Sequence, residues 1–565
     1  MNSSAPRSVG LRARETVMRL ARLGAFHQTR LSFMRVLLRR LKREGWQFDR
    51  PVWEIDAKGV GHGVYCARGP QRTYSLIVFA HDLDAAKRSD RVIAEEWDAT
   101  FTLFDGVPTN ADIARLEQNV PKQEAGRVSE TELSLSRANR SVRLFEYVKS
   151  CLARGEQPDA EELDKVGYLM RTTAVYGSGK FGALDYRFVR DREEFSSPFQ
   201  VEMLSVFLTR AFTIDIVEHL AAAEAPKTCV SLASHLKRRL GVGNSTGLGM
   251  APFLVNHPAL IHQWIEARET ALSRVRAVEK ASSADIETFA NVLKRQSHST
   301  DLWHTASEPH MERIMRLRED LKLLEKHVRD EDVFENRQPW DALYLWGQDN
   351  LSLEGQELLV SLILEPHGSL IDDLASQMSA DEQAEFRING SMRITELREL
   401  LNQFYEFADE FCPDNSEDSA RFWYVSEEKL EPRLGERREE PGADLEFPLA
   451  ISRDAAALIS DCDKADDSEL VAAFLLRHPE HRHLVRRVQL APRAGFSEIH
   501  DNMISSELVP IDLLRCKLSF FGATHFDPRS DRWVRITMYQ NAPYPDELAH
   551  SDVDRWVYPD LEVGH

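Results

Sequence analysis

Four polar stretches carry residue types that suit acid–base chemistry on an anion. The first is 171–186, RTTAVYGSGKFGALDY. Its glycines let backbone N–H groups approach an anion closely. Arg171 and Lys180 add positive charge, while Thr172, Thr173 and Ser178 offer hydrogen bonds. The second is 241–258, GVGNSTGLGMAPFLVNHP. A loop that opens onto a helix N-terminus presents unpaired N–H groups and the positive end of the helix dipole. Asn244, Ser245 and Thr246 are small donors for carboxylate or phosphate oxygens, and Asn256 and His257 lie beside the helix start. His257 is the first choice for proton transfer. In the third stretch, 421–442, Lys429 and Arg433 would pair with substrate carboxylates. Glu428 or Glu431 there would act as acid or base with a shifted pKa. In the fourth, 520–541, His525 and Asp527 would act as an oriented acid–base pair. Each stretch also has a plainer structural explanation: a glycine turn, a connection over the core, a solvated charge run, an Asp-Pro turn.

Motif tests narrow the chemistry. GSGKFG, within 171–186, satisfies GxGxxG and resembles the glycine-rich loop of protein kinases. The lysine strand, HRD loop and DFG motif of that family are absent. The segment follows a helix-like run rather than a strand, so a dinucleotide fingerprint fails as well. Residues 241–258 loosely echo the signature loop of the aspartase/fumarase superfamily, but with different spacing and no signature lysine. No family is assigned on these grounds. His257 and His262 fall on different faces of a helix. His478, His481 and His483 cluster in HPEHRH among Arg477, Arg482, Arg486 and Arg487, whose charge opposes a divalent cation. The six cysteines form no CxxC pair, and GxSxG is absent. The expectation is therefore chemistry with no metal and no cofactor.

Composition sets the outer limits. The 565 residues carry a net charge of −20, with 42% hydrophobic and 29% charged residues. Most of the chain should fold into cores, and the acidic balance argues against broad nucleic-acid binding. No apolar run reaches the roughly 18 residues of a membrane-spanning helix, so no integral membrane contact is expected. Scattered cysteines suit a reducing cytoplasm.

The elements that would position these residues read as follows. Residues 1–46 form a basic amphipathic helical arm broken near Gly24, suited to docking on the acidic remainder or a second subunit. Residues 47–108 hold short β-branched and aromatic runs, VWEID, GVYCA and YSLIVFA, which predict an antiparallel sheet of three or four strands. Residues 109–412 read as a helical core, with helices at 111–119, 136–154, 160–171, 199–223, 228–240, 283–297, 307–329 and 352–364. Pro258 starts a further helix. Residues 413–565 form a C-terminal α+β region with acidic loops at 414–418 and 436–444, a hairpin of 517–521 with 533–539, and a polar tail. The fold class is mainly α with smaller antiparallel β elements.

The resulting expectation is a cytoplasmic enzyme, a lyase or hydrolase and homo-oligomer, that acts on a small anionic metabolite by elimination or hydrolysis. Its site would be formed by the loops at 171–182, 243–257 and 421–437. The alternative is a non-catalytic assembly or regulatory protein, with the basic N-terminal helices and acidic loops as docking surfaces.

Overall fold

The computed structural model describes residues 9–88, 96–122, 129–174, 182–183, 188–247, 258–303, 305, 307–330, 332–379, 387–408, 422–425, 432–435, 451–500, 510–523, 525–530 and 533–558. The fold is α+β, mainly helical with one large antiparallel-rich sheet. Strands β1 (Gln47–Ile55), β2 (Gly61–Arg68), β3 (Thr73–Ala80) and β4 (Ala99–Asp105) form the antiparallel meander expected from their alternation. The sheet then continues through β5 (Glu132–Arg140), β6 (Tyr168–Thr172), β8 (Gly241–Gly247), β12 (Trp533–Met538) and β11 (His525–Ser530). The short β7 (Gly182–Ala183) pairs with β5. β6 and β8 run parallel, and every other pairing in the sheet is antiparallel. A separate two-stranded piece joins β9 (Phe422–Val425) to β10 (Pro432–Gly435).

The helix Gln200–Glu224 lies across one face of the sheet. It is apolar on nearly all sides, as a fully covered helix must be. Pro198 precedes it and Pro226 follows it, which bounds the helical run. Polar contacts register it on the strands. Ser205 and Ser134 of β5 share a hydroxyl hydrogen bond at 2.8 Å. Tyr65 of β2 donates to Asp215 at 2.7 Å. Arg210, fully buried, donates to the carbonyls of Leu240 and Ala542, both at 2.7 Å. On the opposite face the helix Asn110–Glu117 covers Val64, Cys66, Ile77, Phe79 and Leu135.

The basic N-terminal stretch turns inward. Helices Arg14–Val17 and Leu20–Leu23 end at Gly24, and Phe33–Arg43 follows. Arg35 is fully buried and clasps Glu365 through two bonds, at 2.5 and 2.7 Å. Arg30 holds Asp372 at 2.9 and 2.7 Å and also Asp554 at 3.1 Å. Residues 9–46 are thus fastened to the acidic remainder of the same chain.

Several sequence expectations are corrected. The segment 136–154 is not one helix: its first part belongs to β5 and only Phe145–Ala153 is helical. Likewise 160–171 divides into the helix Ala160–Asp164 and β6. Both strands are buried on two faces, so their polar alternation is masked. The helix within 228–240 is only Ser234–Arg239. The segment 517–521 closes the helix Pro510–Phe521, and the strand that pairs with Trp533–Met538 is β11 instead. The C-terminal residues 542–558 pack onto the fold: Ala542, Tyr544, Trp556 and Tyr558 are buried. The acidic loops at 414–418 and 436–444 lie outside the described residues.

Candidate functional site

The start of the glycine-rich stretch at 241–258 is a strand, not a loop. Only Val242 and Thr246 in GVGNSTG favour a strand, so pairing on both sides decides it. Two of its glycines, Gly241 and Gly243, admit close neighbours. A Cβ on Gly243 would lie 2.6 Å from the Tyr168 ring, and one on Gly241 would collide with the carbonyl oxygen of Met538.

This strand does bring predicted residues together. Asn139, Arg171, Gly243, Thr537 and His525 are successive register partners across β5, β6, β8, β12 and β11. Ser245, Arg535 and Asp527 form the next such row. Arg137 belongs to the same face of β5 as Asn139, and its guanidinium stacks on Trp97 at 5.0 Å. Burial lowers the Arg137 pKa to about 10. Arg171 and Arg535 are buried too. The face opposite the helix Gln200–Glu224 is therefore apolar at β2 and β3 and rich in arginine from β5 to β12. Strand spacing puts Arg171 and His525 roughly 14 Å apart, three strand steps, so they do not touch.

Thr172 and Asn244 sit one position along, facing the long helix. Asn244 donates to the Thr172 carbonyl at 2.9 Å, and the Thr172 hydroxyl accepts from Ala174 N–H at 3.2 Å. Both are buried, and the bond between them fastens the strands together. Thr246 follows on β8, paired with Val534, and Arg433 on β10 pairs with Tyr424. The side chains of Ser245, Thr246, Arg433, Asp527 and His525 lie outside the described residues, as do Ser178, Lys180, Asn256, His257, Glu428, Lys429 and Glu431 entirely.

A second arrangement escaped the sequence. A small recess is lined by residues that include His27, Trp303, His310, Arg313, Glu354 and Arg515. His27 lies in the non-helical link after Gly24, where the two helical runs of the N-terminal stretch separate. His310 is in the first turn of the helix Glu308–Asp330. Glu354 is in the first turn of the helix Leu353–Leu364, where the helix dipole favours a carboxylate. Arg515 comes from the helix Pro510–Phe521.

The electrostatics of the recess are specific. His27 Nε2 is 3.2 Å from Glu354 Oε1, and the imidazole stacks on Trp303 with centroids 6.0 Å apart. Arg515 pairs closely with Glu354, and Arg313 pairs with Asp512 at 2.8 Å. Burial raises the Glu354 carboxyl, but the charge of Arg515 and the nearby His27 outweigh it and hold the pKa at about 2. Burial, then the charges of Arg515 and Arg313, lower His310 to about 4. Its Nδ1 shares a 2.8 Å hydrogen bond with the Ser307 hydroxyl. The recess thus holds a neutral imidazole, a carboxylate-facing imidazole and two guanidinium groups. No short-range spacing links these residues, so no motif search would have found them.

Among the described residues, no helix is long and apolar enough to cross a membrane. The chain matches no family model, no curated protein and no solved structure.

Proposed function

We propose that the protein is an enzyme acting on a small carboxylate or phosphate by acid–base chemistry, with the recess around His27 and His310 as its site. One observation carries this reading: two imidazoles with different electrostatic surroundings line one recess with Arg313 and Arg515. A neutral imidazole beside a second imidazole that faces a carboxylate brings a proton-accepting group and an oriented ring to one place, as acid–base chemistry requires. Neutral His310 is available to accept a proton, and His27 is oriented against the ionised Glu354. The arginines supply charge for the anion. Elimination or hydrolysis fits these groups, because both need proton transfer and neither requires an electron carrier. We extend the proposal to a cytoplasmic homo-oligomer. Buried thiols at Cys66, Cys151, Cys462 and Cys516 suit a reducing compartment.

The docking alternative has less support, because Arg12, Arg30 and Arg35 are committed to ion pairs within the chain. The test is a thermal-shift screen of purified protein against carboxylates and phosphates. A ligand at about 100 times its Kd stabilises by roughly 2.7 kcal/mol. A shift lost in His310→Gln supports the recess. A shift retained there but lost in Arg171→Ala moves the site to the sheet face, and a blank panel on folded protein overturns the proposal.

A further inference from the structure

The sequence HPEH at 478–481 folds into a compact turn against the last turn of the helix Ile451–Asp463. His478 caps the helix Val471–Arg477, and Pro479 opens a single 3-10 turn, Pro479–His481. Three side chains with ligand atoms therefore leave the backbone within four residues and meet Asp461. His481 Nε2 is 2.9 Å from Asp461 Oδ2. His478 Nδ1 is 3.7 Å from the same oxygen and 3.5 Å from Glu480 Oε1. All four ligand atoms lie within 4.8 Å of one another. Tetrahedral zinc, with ligands at about 2.0–2.1 Å, sets its donor atoms about 3.3 Å apart. The three specified separations bracket that value.

We propose that Asp461, His478, Glu480 and His481 form a binding site for a first-row divalent cation, with zinc as the best fit. Two imidazoles and two carboxylates make an N2O2 set that neutralises the ion. Imidazole nitrogens disfavour magnesium and calcium, which select all-oxygen sites. The surroundings hold the ligands in place. The buried Phe474 ring stacks on His478 at 4.8 Å and on His481 at 5.9 Å. Lys464 donates to Asp461 Oδ1 at 2.9 Å, which leaves Oδ2 toward the histidines. Such outer contacts orient ligands in metal sites.

The basic residues of this region do not oppose the ion as their number suggests. Arg477 has a 3.5 Å contact with His478 Nε2, on the side of the ring away from the cluster, and is paired with Glu469 at 2.6 Å. Arg487 is buried against Glu498 at 2.6 Å. On binding, His481 releases Nε2 to the metal and keeps its ring proton on Nδ1. The ion would pin the helix Ile451–Asp463 to the turn at 478–481.

The test uses the whole chain stripped with EDTA and titrated with zinc by calorimetry. Cobalt absorption reports the coordination geometry. One equivalent per chain is expected, with a rise in Tm that millimolar magnesium does not reproduce. His478→Ala should abolish stoichiometric binding. Glu480→Gln alters an exposed side chain, keeps the fold, and should weaken zinc at least tenfold. Absence of stoichiometric binding to the folded, stripped protein overturns the proposal. So does unchanged affinity in both variants with unchanged circular dichroism.

Discussion

Arg12 donates to Glu357 at 2.6 Å, with both side chains inside the core. Arg12 also grips both oxygens of Glu269 at 2.7 Å, while Arg268 and Arg22 share Glu357. Burial opposes ionisation of Glu357, but these guanidinium groups outweigh it and keep the carboxyl well below its ordinary range. Removing one member leaves buried charge without its full complement, which typically costs about 3–5 kcal/mol. Arg12→Ala and Glu357→Gln should each lower the urea midpoint accordingly, and a loss under about 1 kcal/mol would show that water enters the cluster.

Acid should weaken the protein in two steps. His310 and His367 both have pKa values lowered to about 4, chiefly by burial. The unfolded chain takes up these protons first, so this contribution is complete above about 6.5 and is lost as pH falls toward 4. Glu354 titrates at about 2 in the folded state against an ordinary 4.5. Its contribution is complete above 4.5 and is lost as pH falls toward 2. His310→Gln should flatten the dependence of Tm on pH between 6.5 and 4 while leaving the lower step.

In the recess, Glu354 would orient His27 for proton transfer without contacting substrate itself. Glu354→Gln should lower kcat by about 10²-fold or more with a smaller change in KM. Steady-state kinetics on a ligand from the screen measures the split. Equal loss in both variants Glu354→Gln and His257→Ala would place the chemistry outside the recess.

Gly243→Ala should destabilise through β8. The added methyl lies 2.6 Å from the Tyr168 ring, and overpacking of this kind costs typically 1–3 kcal/mol. Gly495→Ala, with nothing within 4 Å of the new carbon, is the matched control and should leave Tm nearly unchanged.

These residues also show what the sequence made legible. The helix Gln200–Glu224 and the meander β1–β4 follow directly from apolar periodicity and β-branched runs. β5, ELSLSRANR, does not read as a buried strand because Ser134 and Ser136 are buried, so its small polar residues imitate an exposed face. β8 carries almost no strand propensity, and its identity comes from Tyr168 and β12 packed beside it. The bond by which Asn244 joins its strand to Thr172 on the neighbouring one follows from their pairing, which the sequence does not show. The recess joins His27, His310, Glu354 and Arg515, which only the folded chain makes neighbours. HPEH at 478–481 was visible, but the carboxylates that occupy Arg477 and Arg487 were not.

The parallel pairing of β6 with β8, and the antiparallel pairing of β8 with β12, set a timetable for synthesis. When β8 emerges from the ribosome, one of its edges is satisfied by β6 and the other waits for residues 533–538. Nearly three hundred residues must be made before that edge is covered. Non-local pairing of this kind folds slowly, and an unpaired edge invites association with other chains. A chain halted before β12 should therefore aggregate or bind holdase chaperones, whereas the completed chain is released. Strands β11 and β12 act as the signal that the sheet is closed.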